Sequence, residues 1–192
     1  MSESVLVACP TARVKDYCLD EYLAAYDAFF YKDKHLLMVN TGNGCSTYHN
    51  RLKLKGVEFV KHYPCNEPLV SIQMTVTDVN EDVIIPFAWE ISAEWVLHIE
   101  SDVICPPETI STFLDAAEFY EADLVSASYR ARGNTDMYLE QSLGCIMWRR
   151  KIFPVGTCFM DYMESYIRQM AYERGHKAVQ LTNVLELEHL DG

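Results

Sequence analysis

At 192 residues and 22.1 kDa the chain has room for one compact core, and 49% hydrophobic with 23% charged residues and only 8 Gly and 7 Pro excludes a disordered, collagen-like or low-complexity protein. Against 16 Lys and Arg stand 28 Asp and Glu, a formal charge of −12, so the surface field repels phosphate backbones and anionic lipid and counts against a non-specific nucleic-acid binder. The longest apolar runs, Val83–Trp89 and Trp95–Ile99, fall far short of the roughly 20 residues a membrane-spanning helix needs.

In chain order, Val5–Pro10 is a short apolar run ending in a turn, which predicts a buried strand. Residues 16–30 carry Tyr17, Leu19, Tyr22, Leu23, Tyr26, Phe29 and Phe30 at spacings of three and four, an amphipathic helix. A strand at His35–Asn40, the turn Thr41–Gly44, a polar helix at Ser46–Lys55 and a third strand at Val57–Val60 extend the alternation, which argues for a mostly parallel sheet covered on both faces. Residues 63–81 read as less regular, and Pro86 is placed to begin a helix reaching about Ala93. Trp95–Ile99 is the expected central strand, and it delivers Glu100-Ser101-Asp102 to its carboxyl end.

Pro106-Pro107-Glu108 opens a helix to about Tyr120, followed by a strand at Leu124–Tyr129, a polar loop at Arg130–Asp136 and a strand at Leu143–Trp148. The last helix, from about Asp161 to Arg174, is expected to stop at Gly175. Residues 1–192 therefore read as one α/β domain with a mixed, mostly parallel sheet flanked by helices. Met-Ser-Glu-Ser at the start lacks the basic, apolar character of a secretory leader. Seven cysteines, an odd number without a CxxC pair, fit free thiols in a reducing cytoplasm, a host's cytoplasm if the protein is viral.

In open α/β sheets ligands bind beyond the carboxyl ends of the strands, which gives weight to Glu100 and Asp102. Carboxylates at alternate positions leaving a buried strand suit an oxygen-ligated divalent cation, and Asp102 equally suits capping of the helix after Pro106. Arg130, Arg132, Arg149 and Arg150 are the one concentrated basic feature, fitted either to solvation or to an anionic ligand such as a diphosphate. His98, inside the central strand, reads as a packed side chain, and Cys145, with no nearby His, does not read as a nucleophile.

The segment Ala93–Ile110, with its strand, Glu-Ser-Asp and paired prolines, resembles the centre of nucleotide-sugar glycosyltransferases of the GT-A fold, particularly the inverting family-2-like enzymes. Gly144–Phe153 is similar to that family's glycine-started strand on the acceptor side, and Met163–Gly175 to its acidic helix with a terminal glycine. The resemblance spans nearly the whole chain and implies a Rossmann-like GT-A domain, with residues 1–104 binding the nucleotide sugar and 105–192 forming the acceptor side. It implies that Asp102 ligates Mn2+ or Mg2+, that Glu100 contacts the ribose or reaches the metal through water, and that His189 supplies a nitrogen ligand. Ser101 lies between the two acids. Pro10, Thr11, Arg13 and Asn40 fall where the family binds base or diphosphate, and Arg149 falls at the end of the glycine-started strand.

An inverting transfer also needs a base for the acceptor hydroxyl. Glu164 occupies the second acidic position of the family's helix, Met163 stands at the first, and Asp161 lies one turn earlier. The activity implied is a metal-dependent transfer of a sugar from a nucleoside-diphosphate sugar to an acceptor hydroxyl. The alternatives are a sugar-phosphate nucleotidyltransferase, whose glycine-rich Arg/Lys loop Cys9–Arg13 does not match, and a non-catalytic nucleotide-sugar-binding module. So small a chain implies a small acceptor, or a partner chain or second copy that helps build the acceptor side. A modified DNA base as acceptor is compatible with a minimal domain, but the −12 charge opposes tight duplex binding.

Overall fold

Successive residues of each apolar run face opposite sides of one sheet, and this alternation sets the layers. Val5, Val7 and Cys9 join one hydrophobic cluster while Leu6 and Ala8 join another. The computed structural model describes residues 3–42, 46–64, 72–130, 138–139, 144–159, 163–182, 184–185 and 187–190. Strand β1 (Val5–Thr11) leads through a 3-10 turn (Arg13–Cys18) into α1 (Leu19–Ala28), then β2 (Lys34–Asn40), α2 (Ser46–Leu54) and β3 (Phe59–His62). A helical stretch follows, α3 (Ile72–Val79), a π turn (Asn80–Ile84) and α4 (Ile85–Glu90), before β4 (Trp95–Ile99), β5 (Val103–Ile104) and α5 (Thr109–Phe119). The remaining elements are β6 (Leu124–Ala127), β7 (Tyr129–Arg130), β8 (Tyr138–Leu139), β9 (Cys145–Arg149), α6 (Met163–Glu173), β10 (Ala178–Leu181) and β11 (Glu188–His189).

The seven-stranded sheet has the order β10-β6-β9-β4-β1-β2-β3, and within it β9 alone runs antiparallel to its neighbours β4 and β6. Helices α1, α2 and α5 cover one face, with Tyr22, Leu52 and Phe113 packed on Leu97 and Met38. The α3–α4 stretch and α6 cover the other, with Phe87, Ile84 and Ala171 packed on Val96, Leu37 and Trp148. This is the single α/β domain expected, with β4 and β1 at its centre. Among the described residues no helix is long and apolar enough to cross a membrane.

Several boundaries differ from the sequence reading. The first turn of the expected helix at 16–30 is a tighter 3-10 turn, and α1 proper begins at Leu19. The stretch read as irregular is helical from Ile72, and Pro86 sits in the first turn of α4 directly behind the π turn rather than after a break. The missing N–H of Pro86 falls where the hydrogen-bond register changes, so the helix continues past it. The strand at Leu124–Tyr129 divides after Ala127, and residues 129–130 pair with 138–139 instead. Gly175 ends α6 as expected: its φ is 79°, its N–H donates to Tyr172 O at 2.9 Å, and His176 N–H donates to Ala171 O at 2.9 Å. Cys9, Cys18, Cys105, Cys145 and Cys158 are free thiols.

His98 is fully buried in β4, as its place in an apolar strand implied. Asn80 donates its amide to Val76 O, which leaves Oδ1 to accept from His98 Nδ1 at 3.2 Å and fixes the neutral tautomer. Burial pushes the His98 pKa down to about 3. The unfolded chain binds this proton near pH 6.5 and the native one does not until far lower, so the histidine's contribution to stability is complete above pH 6.5 and lost as pH falls. Between pH 6 and 4 the stability gap between wild type and His98→Gln should move by about 1.4 kcal/mol per pH unit in the variant's favour, measured by urea unfolding.

Candidate functional site

The parallel strands β1, β2 and β4 end on the same side of the sheet, and their loops frame a cleft of about 280 Å³, just under the roughly 300–1,000 Å³ usual for small-ligand sites. Its wall runs from Pro10, Thr11 and Ala12 after β1 to Val14 and Lys15 of the 3-10 turn, with Thr41 after β2. Thr75 and Val76 of α3 close one side, and Glu100, Ser101 and Asp102 form the end of β4.

The turn after β4 is held at three points. Val103 N–H donates to Glu100 O at 3.0 Å, Glu100 N–H donates to Gly144 O at 3.1 Å, and Leu190 N–H donates to Asp102 O at 2.8 Å. The turn thereby buries Ser101 and Asp102 at 4% and 2% exposure, while Glu100 stays half-buried on the cleft. An isolated carboxylate so buried is costly, and Lys15 balances it: the Lys15 ammonium donates to Asp102 Oδ2. Asp102 does not cap the following helix, whose first flanking residue is Glu108. Beneath this pair lies Cys18, its thiol 3.0 Å from both Lys15 O and Ser101 O, and burial, then the Asp102 charge, pushes its pKa up to about 11.

On the β1 side of the cleft, Thr11 is buried with its hydroxyl 3.0 Å from Tyr48 OH, and burial raises the Tyr48 pKa to about 12. Asn40 is fully buried and acts on the loop: Gly42 N–H donates to its Oδ1 at 3.1 Å, and Tyr63 N–H to its carbonyl at 3.0 Å. The residue after it, Thr41, reaches the cleft and donates N–H to Thr11 O at 2.8 Å. Arg13 is exposed beside the cleft without being part of its lining.

The expected sites separate into those brought together and those not. Pro10, Thr11, Glu100, Ser101 and Asp102 meet in one cleft, and the backbone of His189 pairs with Val103, beside Asp102. The side chain of His189 lies outside the described residues, as do Asp161 and the side chain of Glu164 on α6. Arg132 is outside them too, as are the side chain of Arg130 and part of the turn after Asn40.

Arg149 is a correction. It pairs in register with Trp95, the first residue of β4, and so stands at the opposite end of the sheet from Asp102. There its guanidinium lies 4.4 Å from the Trp95 ring centroid and forms ion pairs with Glu94 at 2.9 Å, Asp123 at 3.3 Å and Glu3 at 3.4 Å. Arg150 stacks over Trp89, 4.3 Å from its ring centroid. Lys15, Tyr48 and Cys18 are the site residues that the sequence reading missed. Lys15 bears the nearest signal, a cation two residues past Arg13 in the loop after the first strand.

Glu100 and Asp102 are the acidic side chains that line the cleft, and among the described residues no three His, Cys, Asp or Glu converge as a metal centre. Two carboxylates still fit a hard divalent cation of the kind that binds one or two acids and completes its shell from substrate phosphates. The Lys15 ammonium already engages Asp102 Oδ2.

No family model and no curated protein matches the sequence. Solved structures do. S. aureus TarS is 12% identical with a TM-score of 0.69, covering 98% of this chain and 37% of that one. TarS 1–349 in complex with UDP-GlcNAc is 13% identical with a TM-score of 0.57, covering 78% and 46%. The mannosyltransferase PcManGT from Pyrobaculum calidifontis, in complex with GDP-Man and Mn2+, is 13% identical with a TM-score of 0.65, covering 96% and 56%. This chain spans less than two thirds of each. The likeness is one of fold: a GT-A-like α/β domain.

The position of Arg149 is testable. Arg149→Met should lower stability by about 1–2 kcal/mol through lost ring stacking and ion pairing, measured by urea unfolding. Unchanged stability would contradict the placement.

Proposed function

We propose that this chain is a glycosyltransferase that binds a nucleoside-diphosphate sugar in the cleft at the ends of β1, β2 and β4 and transfers the sugar to an acceptor hydroxyl. The observation that carries the reading is the buried Asp102 carboxylate with its Lys15 counter-charge, standing beside Glu100 where open α/β sheets bind ligands. Its support from outside the chain is that domains of the same fold are seen with UDP-GlcNAc and with GDP-Man and Mn2+.

In this reading Thr11, Thr41 and the Pro10–Ala12 backbone form the wall for the nucleoside, and Thr11 is held in place by Tyr48. Lys15 faces the diphosphate. Cleavage of the sugar–diphosphate bond leaves negative charge on the leaving group, and a divalent cation, Mn2+ or Mg2+, when bound through Asp102 and Glu100, supplies charge to offset it. His189, whose backbone pairs with Val103 next to Asp102, would add a nitrogen ligand. The acceptor hydroxyl loses its proton to a carboxylate, for which Glu164 on α6 is the first choice and Asp161 the second. With the base opposite the leaving group, the transfer inverts the anomeric centre.

Thermal shift and calorimetry with UDP, GDP and ADP, each with and without Mn2+, test the donor site. One nucleotide should stabilise the wild type, since a ligand bound only by the folded state raises the melting temperature. Asp102→Asn should weaken that nucleotide at least about tenfold, the worth of roughly one charge-assisted contact. Equal affinity in the variant, or no shift with any nucleotide, would overturn the reading; binding without sugar transfer would make this a non-catalytic module.

A further inference from the structure

We propose that Lys15 exchanges partners: it neutralises Asp102 in the free protein and gives that carboxylate up to a divalent cation when the cation and a nucleoside diphosphate arrive, its ammonium then pairing with the diphosphate. The inference rests on the cleft being a diphosphate site. It adds a role for a residue that the carboxylate motif does not contain.

The two members of the pair differ in freedom. Asp102 is fixed, its carboxylate 4% exposed and its turn tied to residues 144 and 190 by backbone hydrogen bonds, whereas the Lys15 side chain is 29% exposed and lines the cleft. A lysine carries a compact charge on a flexible four-carbon stem, so it is the member that moves. Among the described residues the charges lining the cleft are those of Lys15, Glu100 and Asp102, which sum to −1. A diphosphate entering with Lys15 still held on Asp102 would meet net negative charge. A divalent cation reverses the balance, and it also releases the Lys15 ammonium to the incoming phosphates. Among the described residues the two acidic side chains of the lining are too few to hold a cation firmly alone, so cation and diphosphate complete one another's binding.

The test is a substitution with opposite effects on two ligands. Lys15→Met should bind Mn2+ alone at least about tenfold more tightly than wild type, because a competing charge within about 4 Å is gone. The same variant, saturated with Mn2+, should bind UDP or GDP about tenfold more weakly through loss of a charge-assisted contact. Mn2+ is followed by electron paramagnetic resonance and the nucleotides by calorimetry, with circular dichroism confirming the fold. Lys15→Gln, which keeps a donor toward Asp102 without the charge, should behave like Lys15→Met and serves if the methionine variant does not fold. Lys15→Arg should bind Mn2+ as weakly as wild type. Adding Asp102→Asn to Lys15→Met should abolish the gain in Mn2+ affinity.

Unchanged or weaker Mn2+ binding in both uncharged variants overturns the exchange, as does a gain in Mn2+ affinity that survives Asp102→Asn. Undiminished nucleotide affinity overturns the transfer of Lys15 to the diphosphate. If neither nucleotide binds wild type under any condition, it is the donor-site reading that fails, and the Mn2+ titrations still decide whether Lys15 and a cation compete for Asp102.

Discussion

A carboxylate nearly sealed from water at the carboxyl end of the central strand is the constraint around which the rest of this domain is arranged. Burying Asp102 is unfavourable unless a partner and hydrogen bonds compensate it. The partner, Lys15, is 87 residues away in sequence and reaches Asp102 because β1 and β4 are parallel neighbours whose ends emerge side by side. The 3-10 turn that carries Lys15 is held against the Ser101 loop by Cys18, and the C-terminal strand β11 is held against β5 next to the same turn. Three separate stretches of chain thus converge on one charge.

The sheet supplies the rigidity. Six strands share one direction, so their carboxyl ends collect the loops on one side, and the apolar residues of β1 and β4 are packed from both faces. Such a frame tolerates wide sequence change, as the agreement with structures of 12–13% identity illustrates. Fold alone does not carry function, which depends on what the loops place at the strand ends. In this protein they place two acids, a lysine and several threonines around one cleft.

Much of this was legible from local sequence. Apolar runs bounded by turn residues located β1, β2 and β4, the acids after Trp95–Ile99 located the cleft, and Gly175 located the end of α6, because each signal lies within a few residues of what it determines. The missed features depend on distant partners. Nothing near Lys15 announces Asp102, and nothing near Tyr48 announces Thr11. Arg149 was misplaced for a topological reason: it ends its strand, and in a parallel strand it would have stood at the ligand end, but β9 runs antiparallel and carries it to the opposite edge. The helix at 72–90 escaped the sequence reading because Pro86 suggested a fresh start, whereas a π turn absorbs the proline.

Hydrogen–deuterium exchange with and without UDP or GDP and Mn2+ tests most directly whether this cleft is the donor site. Ligand should slow exchange at the backbone amides of residues 11–15 and 100–103, on the two loops joined by Lys15 and Asp102, and leave 149–151 unchanged. Protection centred on Arg149 and Arg150, with the Asp102 turn unaffected, would contradict the account.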